Sequence, residues 1–472
     1  MALVLANNVS SLNAQHNLTR SSNNLAKSVE RLSSGLKINR GADGPAALVI
    51  SEKQRAQIAG LEQAIENSEK AVSLVQTAEG ALNEINSLLV KVRSLALDSA
   101  NAGVNDTDAL AANQAEISNA LDTINRIANN TQFGTKKLLD GSAGVTGTAT
   151  DTDISVLKAT ADTAAGTYAV SVGTRAERAY VDTTTALAAG TLAQDETLTI
   201  NDVSITLNSG LTRVEVQNRI NEFTAQTGVV AEDDGAGTGI RLRTEAFGTA
   251  ASISVVSNQS GANSAGFTTS EQTDTGVNAI ATIGANTFTG VGNVVTATSG
   301  VTEGLVITIG ADPADSTQTV NGANGNVSIS DNALQFQVGP NANQTAEIAI
   351  DKVNPTSLGV GVAGNQFASL NDVDVTSATK AQDAIAVIDA AIDDITNARG
   401  TLGAFQQNTL ESTANNLRTT LENTVNAESV IRDTDFASEI ANFTRQQVLV
   451  QAGTSVLGNA NQQSQLVLSL LQ

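Results

Sequence analysis

From Ile58 to Ala96 the core-type positions return after three and then four residues: Ile58, Leu61, Ile65, Ser68, Val72, Val75, Glu79, Leu82, Ile85, Leu89, Val92 and Ala96. That alternation averages 3.5 residues, the repeat of a left-handed coiled coil, and only Ser68 and Glu79 interrupt it. Proline is absent from 46 to 312, so nothing breaks a helix over residues 46–99. Such a helix would run roughly 80 Å. A rod of that length exposes an apolar stripe along its whole side, so it needs one or more partner helices.

The same chain offers the partners. Leu110, Ile117, Leu121 and Ile124 place one apolar face on a helix over 106–129, with Asp106 as its cap after the Asn101–Asn105 break. A third long helix is predicted over 378–428, carrying Ile385, Ile388, Ile392, Ile395, Leu402, Leu410, Leu417 and Leu421. Together these form an antiparallel bundle with its seams at the a and d positions.

The two ends carry stripes with little local sequence to cover them. Residues 4–36 show Leu18, Leu25, Val29, Leu32 and Leu36 at coiled-coil spacing; residues 434–470 show Phe436, Ile440, Phe443, Leu449, Ala452, Val456, Leu457 and Ala460. Burying five such side chains is worth about 1.5–3 kcal/mol each. Ordering an end of ~35 residues costs about 1–2 kcal/mol per residue in backbone entropy. An end alone should therefore stay mostly disordered and fold with partners. The competing reading is an intramolecular stalk that pairs the two ends with each other.

Between the helical regions, residues 146–328 alternate Thr/Val/Ile runs (TLTINDVSITL, GIRLRT, ISVVS, GLVITIG) with Gly/Asn/Asp turns, the pattern of short antiparallel strands. VEVQNRINEFTAQTG reads as a short helix among them. AEDDGAGTG at 231–239 lacks the carboxylate spacing of an EF-hand and reads as a hairpin turn. Gly41–Gly44 follows no strand, so it is a turn ahead of Pro45 rather than a phosphate cradle.

Composition excludes most chemistry. The chain of 472 residues has no Cys, no Trp and a single His, His16, on a polar helix face where a solvated or interface role outweighs catalysis. There is no thiol nucleophile, no thiolate metal site and no H-E-x-x-H pair. We expect no enzyme activity, no cofactor and no metal. The net charge is −22, and residues 146–330 hold 7 basic against 19 acidic side chains. That acidity suits a solvated outer surface and opposes nucleic-acid binding. No run reaches the ~18 apolar residues of a membrane span, and the start lacks the parts of a secretory signal. Export, if it occurs, is expected without a cleaved signal peptide.

Several motifs resemble bacterial flagellin. ANNVSSLNAQHNL, RLSSGLKINRGADGPAALVISEKQRAQIAGL and NTQFGTKKLLDG are similar to its N-terminal region, and DFASEIANFTRQQVLVQAGTSVLGNANQQSQLVLSLLQ to its C-terminus. LQFQVGPNANQTAEIAIDKVNPTSLG (334–359) resembles the hairpin by which flagellins return to their inner domain. The likeness covers about 1–142 and 330–472; residues 196–256 resemble the weaker "IN" pattern shared with hook-associated proteins. A hook–filament junction protein has similar end helices, but the ANNVSSLNAQ start and VLSLLQ end favour flagellin. A Ser/Thr-rich outer region acting in adhesion or glycan display is a further reading.

The resemblance implies an α+β multidomain fold: a long antiparallel helical bundle or coiled coil built from both terminal regions, with an inserted strand-rich outer domain. Its parts are an inner-core helix at 1–44, one half of the helical-bundle domain at 45–145, and a variable β-rich region at 146–328. The other bundle half follows at 329–432, with a β-hairpin at 334–350, and a second inner-core helix at 433–472. It implies self-assembly into the extracellular flagellar filament through Leu18, Leu25, Val29, Leu32, Phe436, Ile440, Phe443, Val456 and Leu457. Export unfolded through the flagellar type III apparatus, a chaperone on the C-terminal segment, and flagellar cap and hook-associated proteins as partners follow from it too. So does contact with Toll-like receptor 5, carried in flagellins by a Gln-Arg-Val-Arg-Glu-Leu run and a Gln-Ala-Glu-Ile run. Here the first reads Val90-Lys91-Val92-Arg93-Ser94-Leu95, so Leu95 matches, Lys91 replaces the key Arg, and Glu116 matches in the second.

Overall fold

The computed structural model describes residues 8–101, 103–184, 187, 191–234, 239–261 and 264–469, and side chains as far as 462 in the last helix. Residues 1–7 and 470–472 of the two predicted inner-core segments, and 235–238 of the predicted hairpin turn, lie outside the described residues.

The helices are α1 (Val9–Ser34), α2 (Pro45–Ser99), α3 (Thr107–Asn130), α4 (Arg213–Asn221), α5 (Thr224–Thr227), α6 (Ala378–Ala404), α7 (Ser412–Arg432) and α8 (Phe436–Ser469). Local chemistry sets their ends. Asn8 accepts from Ser11 N at the start of α1, and Gly35, at φ +75°, stops it in the left-handed region. Pro45 opens α2, where its missing N–H costs nothing. Asp106 caps α3 by accepting from Ala109 N (2.8 Å), as its sequence position predicts.

The described residues fall into two compact units. Met1–Glu69, Gln337–Thr345 and Glu411–Gln472 make the first; Lys70–Phe336 and Ala346–Leu410 make the second. In the first, Leu61 and Ala64 of α2 pack with Leu417 of α7, flanked by Ile65 and Leu421. Arg418 pairs with Glu69 (2.6 Å), and Arg432 pairs with Glu52 (3.2 Å). The tip of the hairpin rests on α2: a Cβ on Gly60 would lie 3.1 Å from Pro340 Cβ, and Asn67 Nδ2 donates to Gln337 O (3.2 Å). The hairpin strands, Leu334–Gln337 and Thr345–Ile348, fall inside the predicted 334–350.

The seam of α2 differs from the expected one at alternate positions. Leu61, Ala64, Ser68, Ala71, Val75, Ala78, Leu82, Ile85, Leu89, Val92, Ala96 and Ser99 are all buried. Ile65, Val72 and Glu79, expected inside, are half-buried, and Glu79 pairs with Arg399 (3.8 Å). Alanines let neighbouring backbones approach closely, so the small side chain takes the centre and the larger one flanks it. With Ala78 in place of Glu79, the charged interruption disappears from the repeat.

The third helix also departs from expectation. The span runs on to Arg432 and contains a π-helical turn at Phe405–Glu411 between α6 and α7. In the second unit, Ile388, Ile395 and Leu402 of α6 are buried with Ile117, Leu121 and Ile124 of α3 and the later half of α2.

The strand-rich insert builds two hydrophobic cores. The first joins a five-stranded sheet, in the order 286–289, 280–283, 166–174, 322–331, 145–149, with a three-stranded sheet of 294–296, 306–309 and 154–158. The second joins sheets 272–275/252–257/196–200/203–207 and 180–182/240–244/229–233 with α4. The IN-like span 196–256 lies in this second core. Helix α4 opens on a capping box in which Thr212 and Glu215 satisfy each other's backbone donors. Lys380, in the first turn of α6, is 7% exposed and meets Asp374 (2.8 Å) and Glu245 (3.2 Å), which follows the second core's strand 240–244.

Candidate self-assembly surface

Helices α1 and α8 pair antiparallel inside the first unit. Asn8 Nδ2 donates to Ala460 O (3.1 Å), Ser11 Oγ to Asn461 Oδ1 (2.7 Å), and Ser28 Oγ to Glu439, which also meets Arg31 (3.6 Å). Beyond the helices, Leu36 and Asp433 bridge, Lys37 N donates to Arg432 O (2.7 Å), and Thr434 N donates to Gly35 O (2.9 Å). A Cβ on Gly453 would sit 3.2 Å from Leu18 Cδ1, so the pair is close at that point.

This seam uses only part of the predicted set. Leu18, Leu25 and Leu32 of α1, and Phe443 and Leu457 of α8, are half-buried. Val29 (47%), Phe436 (52%), Ile440 (53%) and Val456 (56%) are exposed, although the Phe436 ring still reaches Gly35 at the end of α1. The remaining apolar side chains of α8 form no second stripe: at about 100° per residue Ile440 and Val456 lie on nearly opposite sides of the helix. Leu457 belongs with Gly453, Val450 and Glu439 toward α1, whereas Phe436, Ile440, Val448, Leu449 and Val456 stay exposed. Sequence reading merged them, because Val456 and Leu457 are neighbours that helical geometry turns about 100° apart. On α1, Val9 and Leu12 are exposed as well; neither stood in the predicted set.

His16 lies in a polar groove between α1 and the turn after it, lined by Asn13, Asn17, Arg20, Lys27, Arg40 and Asp43 among others. Nothing there aligns a nucleophile with a base. Among the described residues no group of His, Asp and Glu is placed to hold a metal ion, and no described helix is long and apolar enough to cross a membrane. Of the three residues carried over as a receptor patch, Lys91 Nζ of α2 pairs with Glu116 Oε1 of α3 (2.6 Å), and Leu95, one turn on from Lys91, is half-buried. Arg93 instead forks onto Asp389 (2.5 and 3.2 Å), whose hydrogen bond and charge raise its pKa further.

Residues 5–144 match the bacterial flagellin N-terminal helical region, and residues 385–471 the bacterial flagellin C-terminal helical region. Over 463 residues the chain is 32% identical to a flagellin of Clostridium tyrobutyricum, covering 98% of this chain and 100% of the relative. The chain belongs to the bacterial flagellins. A B-type flagellin of Pseudomonas aeruginosa is 34% identical over 534 residues, and a flagellin of Salmonella typhimurium 32% over 517, each covering 100% of both chains. The structure of FliC from Burkholderia pseudomallei is 17% identical, covering 72% of this chain and 99% of that one, at a TM-score of 0.24. This flagellin is a structural protein, the subunit of a flagellar filament, and in its α+β chain helical N- and C-terminal regions flank a strand-rich middle.

Proposed function

We propose that this flagellin polymerises with copies of itself through the exposed apolar side chains of α1 and α8. Support comes from the side chains that the α1–α8 pairing leaves outside: Val9, Leu12 and Val29 on one helix, and Phe436, Ile440, Val448, Leu449 and Val456 on the other. Apolar side chains exposed on several sides of a helix pair suit a subunit surrounded by neighbours, and the partner of a filament subunit is a second copy. Each subunit added buries some of them and so offsets the entropy of ordering the two ends. Before assembly the chain passes unfolded through the flagellar type III apparatus, with a chaperone over residues 433–472; cap and hook-associated proteins bound the filament at its two ends. Removing residues 434–472 is expected to leave soluble monomers that no longer co-purify with the chaperone. Long filaments from that truncation, seen by electron microscopy, would overturn the reading.

A second activity rests on the Lys91–Glu116 pair. We infer that the face around Lys91, Leu95 and Glu116 contacts Toll-like receptor 5, with Lys91 as the weak point, because an ammonium lacks the planar fork of a guanidinium. Lys91→Arg is expected to strengthen receptor signalling roughly tenfold, about the 1.4 kcal/mol of one added charge-assisted hydrogen bond. No change in a receptor reporter assay would remove Lys91 from the contact.

A further inference from the structure

The second outer core is an insertion in the first. The chain leaves strand 166–174 through 175–179 and re-enters strand 280–283 through 276–279. The two crossing segments touch: Glu177 N donates to Val277 O (2.8 Å), Val277 N returns the bond to Glu177 O (3.0 Å), and Gly248 N donates to the same oxygen (2.9 Å). Backbones approach so closely that a Cβ on Gly276 would fall 2.4 Å from Glu177 O, and one on Gly248 2.5 Å from Gly292 Cα. Phe247, which follows strand 240–244, packs against the first core, with the Arg178 guanidinium 4.2 Å from its ring centroid. Two crossing strands alone make a hinge.

A third strand lies along this neck. Arg178 N donates to Thr317 O (2.8 Å) and Thr319 N to Ala176 O (2.9 Å), so the strand Asp315–Thr319 flanks the outgoing segment. Its side chains reach into the second core. Ser316 Oγ donates to Glu232 Oε1 (2.5 Å), Glu232 also takes Arg243 (2.9 Å), and Asp315 meets Arg241 (3.8 Å), which forks onto Asp182. Arg178 donates to Ser316 O (3.0 Å). We propose that Asp315–Thr319 is a latch that fastens the two outer cores into one stiff projection. Its polar contacts span the neck at several points, so the second core cannot turn about Glu177–Val277 without breaking them together. Force on the second core then passes into strands 166–174 and 322–331 of the first.

The absence of Cys from the chain permits a direct test. Spin labels on Ser204→Cys (second core) and Thr289→Cys (first core), in the full-length protein, report the distance between the cores by pulsed electron resonance. The parent is expected to give one narrow distribution. The double variant Asp315→Ala, Ser316→Ala should broaden it at least twofold with circular dichroism unchanged, and Asp315→Glu, Ser316→Thr should restore it. If the double variant fails to fold, Ser316→Ala alone carries the comparison. A distribution already broad in the parent, or one that stays as narrow without the latch side chains, overturns the proposal.

Discussion

Asp351 sits where the first outer core meets α6, near Lys158, Asp162 and Asp394. Burial, with the negative charges of Asp394 and Asp162 added, pushes its carboxyl above the ordinary range although Lys158 works against the rise. Lys158 is itself committed to Asp394 (2.7 Å), which also accepts from Gly359 N (3.1 Å). A carboxylate whose folded pKa lies above its unfolded one subtracts stability at neutral pH, and that loss is relieved as pH falls through the folded value toward the unfolded one. Asp351→Asn should therefore raise the melting temperature at pH 7, and the gain should vanish near pH 4. An equal gain at both pH values, measured by calorimetry, would show that the charge is not the cause. None of this was legible in the sequence, where Asp351 is one acid among many and Asp394 lies far along the chain. Lys380 was hidden for the same reason: nothing local in TSATKAQDA points to Glu245, 135 positions earlier.

At the scale of elements, the seam of α6 and α7 carries its own record of the π turn. Ile388, Ile395 and Leu402 are seven apart, Leu410 comes eight later, and Leu417 seven after that. One extra residue in a 3.5-residue repeat rotates every later side chain away from the core unless the helix widens to absorb it. The turn at Phe405–Glu411 does so, and Leu410 and Leu417 remain buried. Deleting Gln407, which is exposed within that turn, should leave a plain α-helix in register and a folded protein with nearly unchanged melting. Deleting Asn397 in α6 should instead turn Leu402 off the core and cost about 3 kcal/mol or more in denaturant titration. If the two deletions were equally harmful, the register argument would fail. The sequence thus held the irregularity as a step of eight, but the seam of α2 was less readable. Hydrophobicity alone ranks Ile65 and Val72 above Ala64 and Ala71, and only the spacing between packed backbones reverses that order.

For the whole molecule, the helical regions were readable because their periodicity is local and long. The strand-rich insert was not. Its strands are short and alike, and the excursion from residue 174 to residue 280 that separates two cores is set by long-range pairings with no local signature. The two ends fall between these cases. Their apolar stripes were evident, but which residues face the partner helix and which face outward depends on the α1–α8 seam. That division, with Leu18 and Leu457 in the seam and Ile440 and Val456 exposed, separates the proposed assembly contacts from those that pair the helices.

The exposed apolar side chains can be tested without disturbing the seam. In the full-length protein, Ile440→Asp with Val456→Asp places two charges on exposed positions of α8 and leaves Leu18, Gly453 and Leu457 untouched. Assembly of parent and variant would be followed by sedimentation and electron microscopy under the same conditions, with helix content checked by circular dichroism. The variant is expected to match the helix content of the unassembled parent and to remain in the supernatant as monomers. Filaments as long and as abundant as the parent's would contradict the assignment of assembly to these exposed side chains.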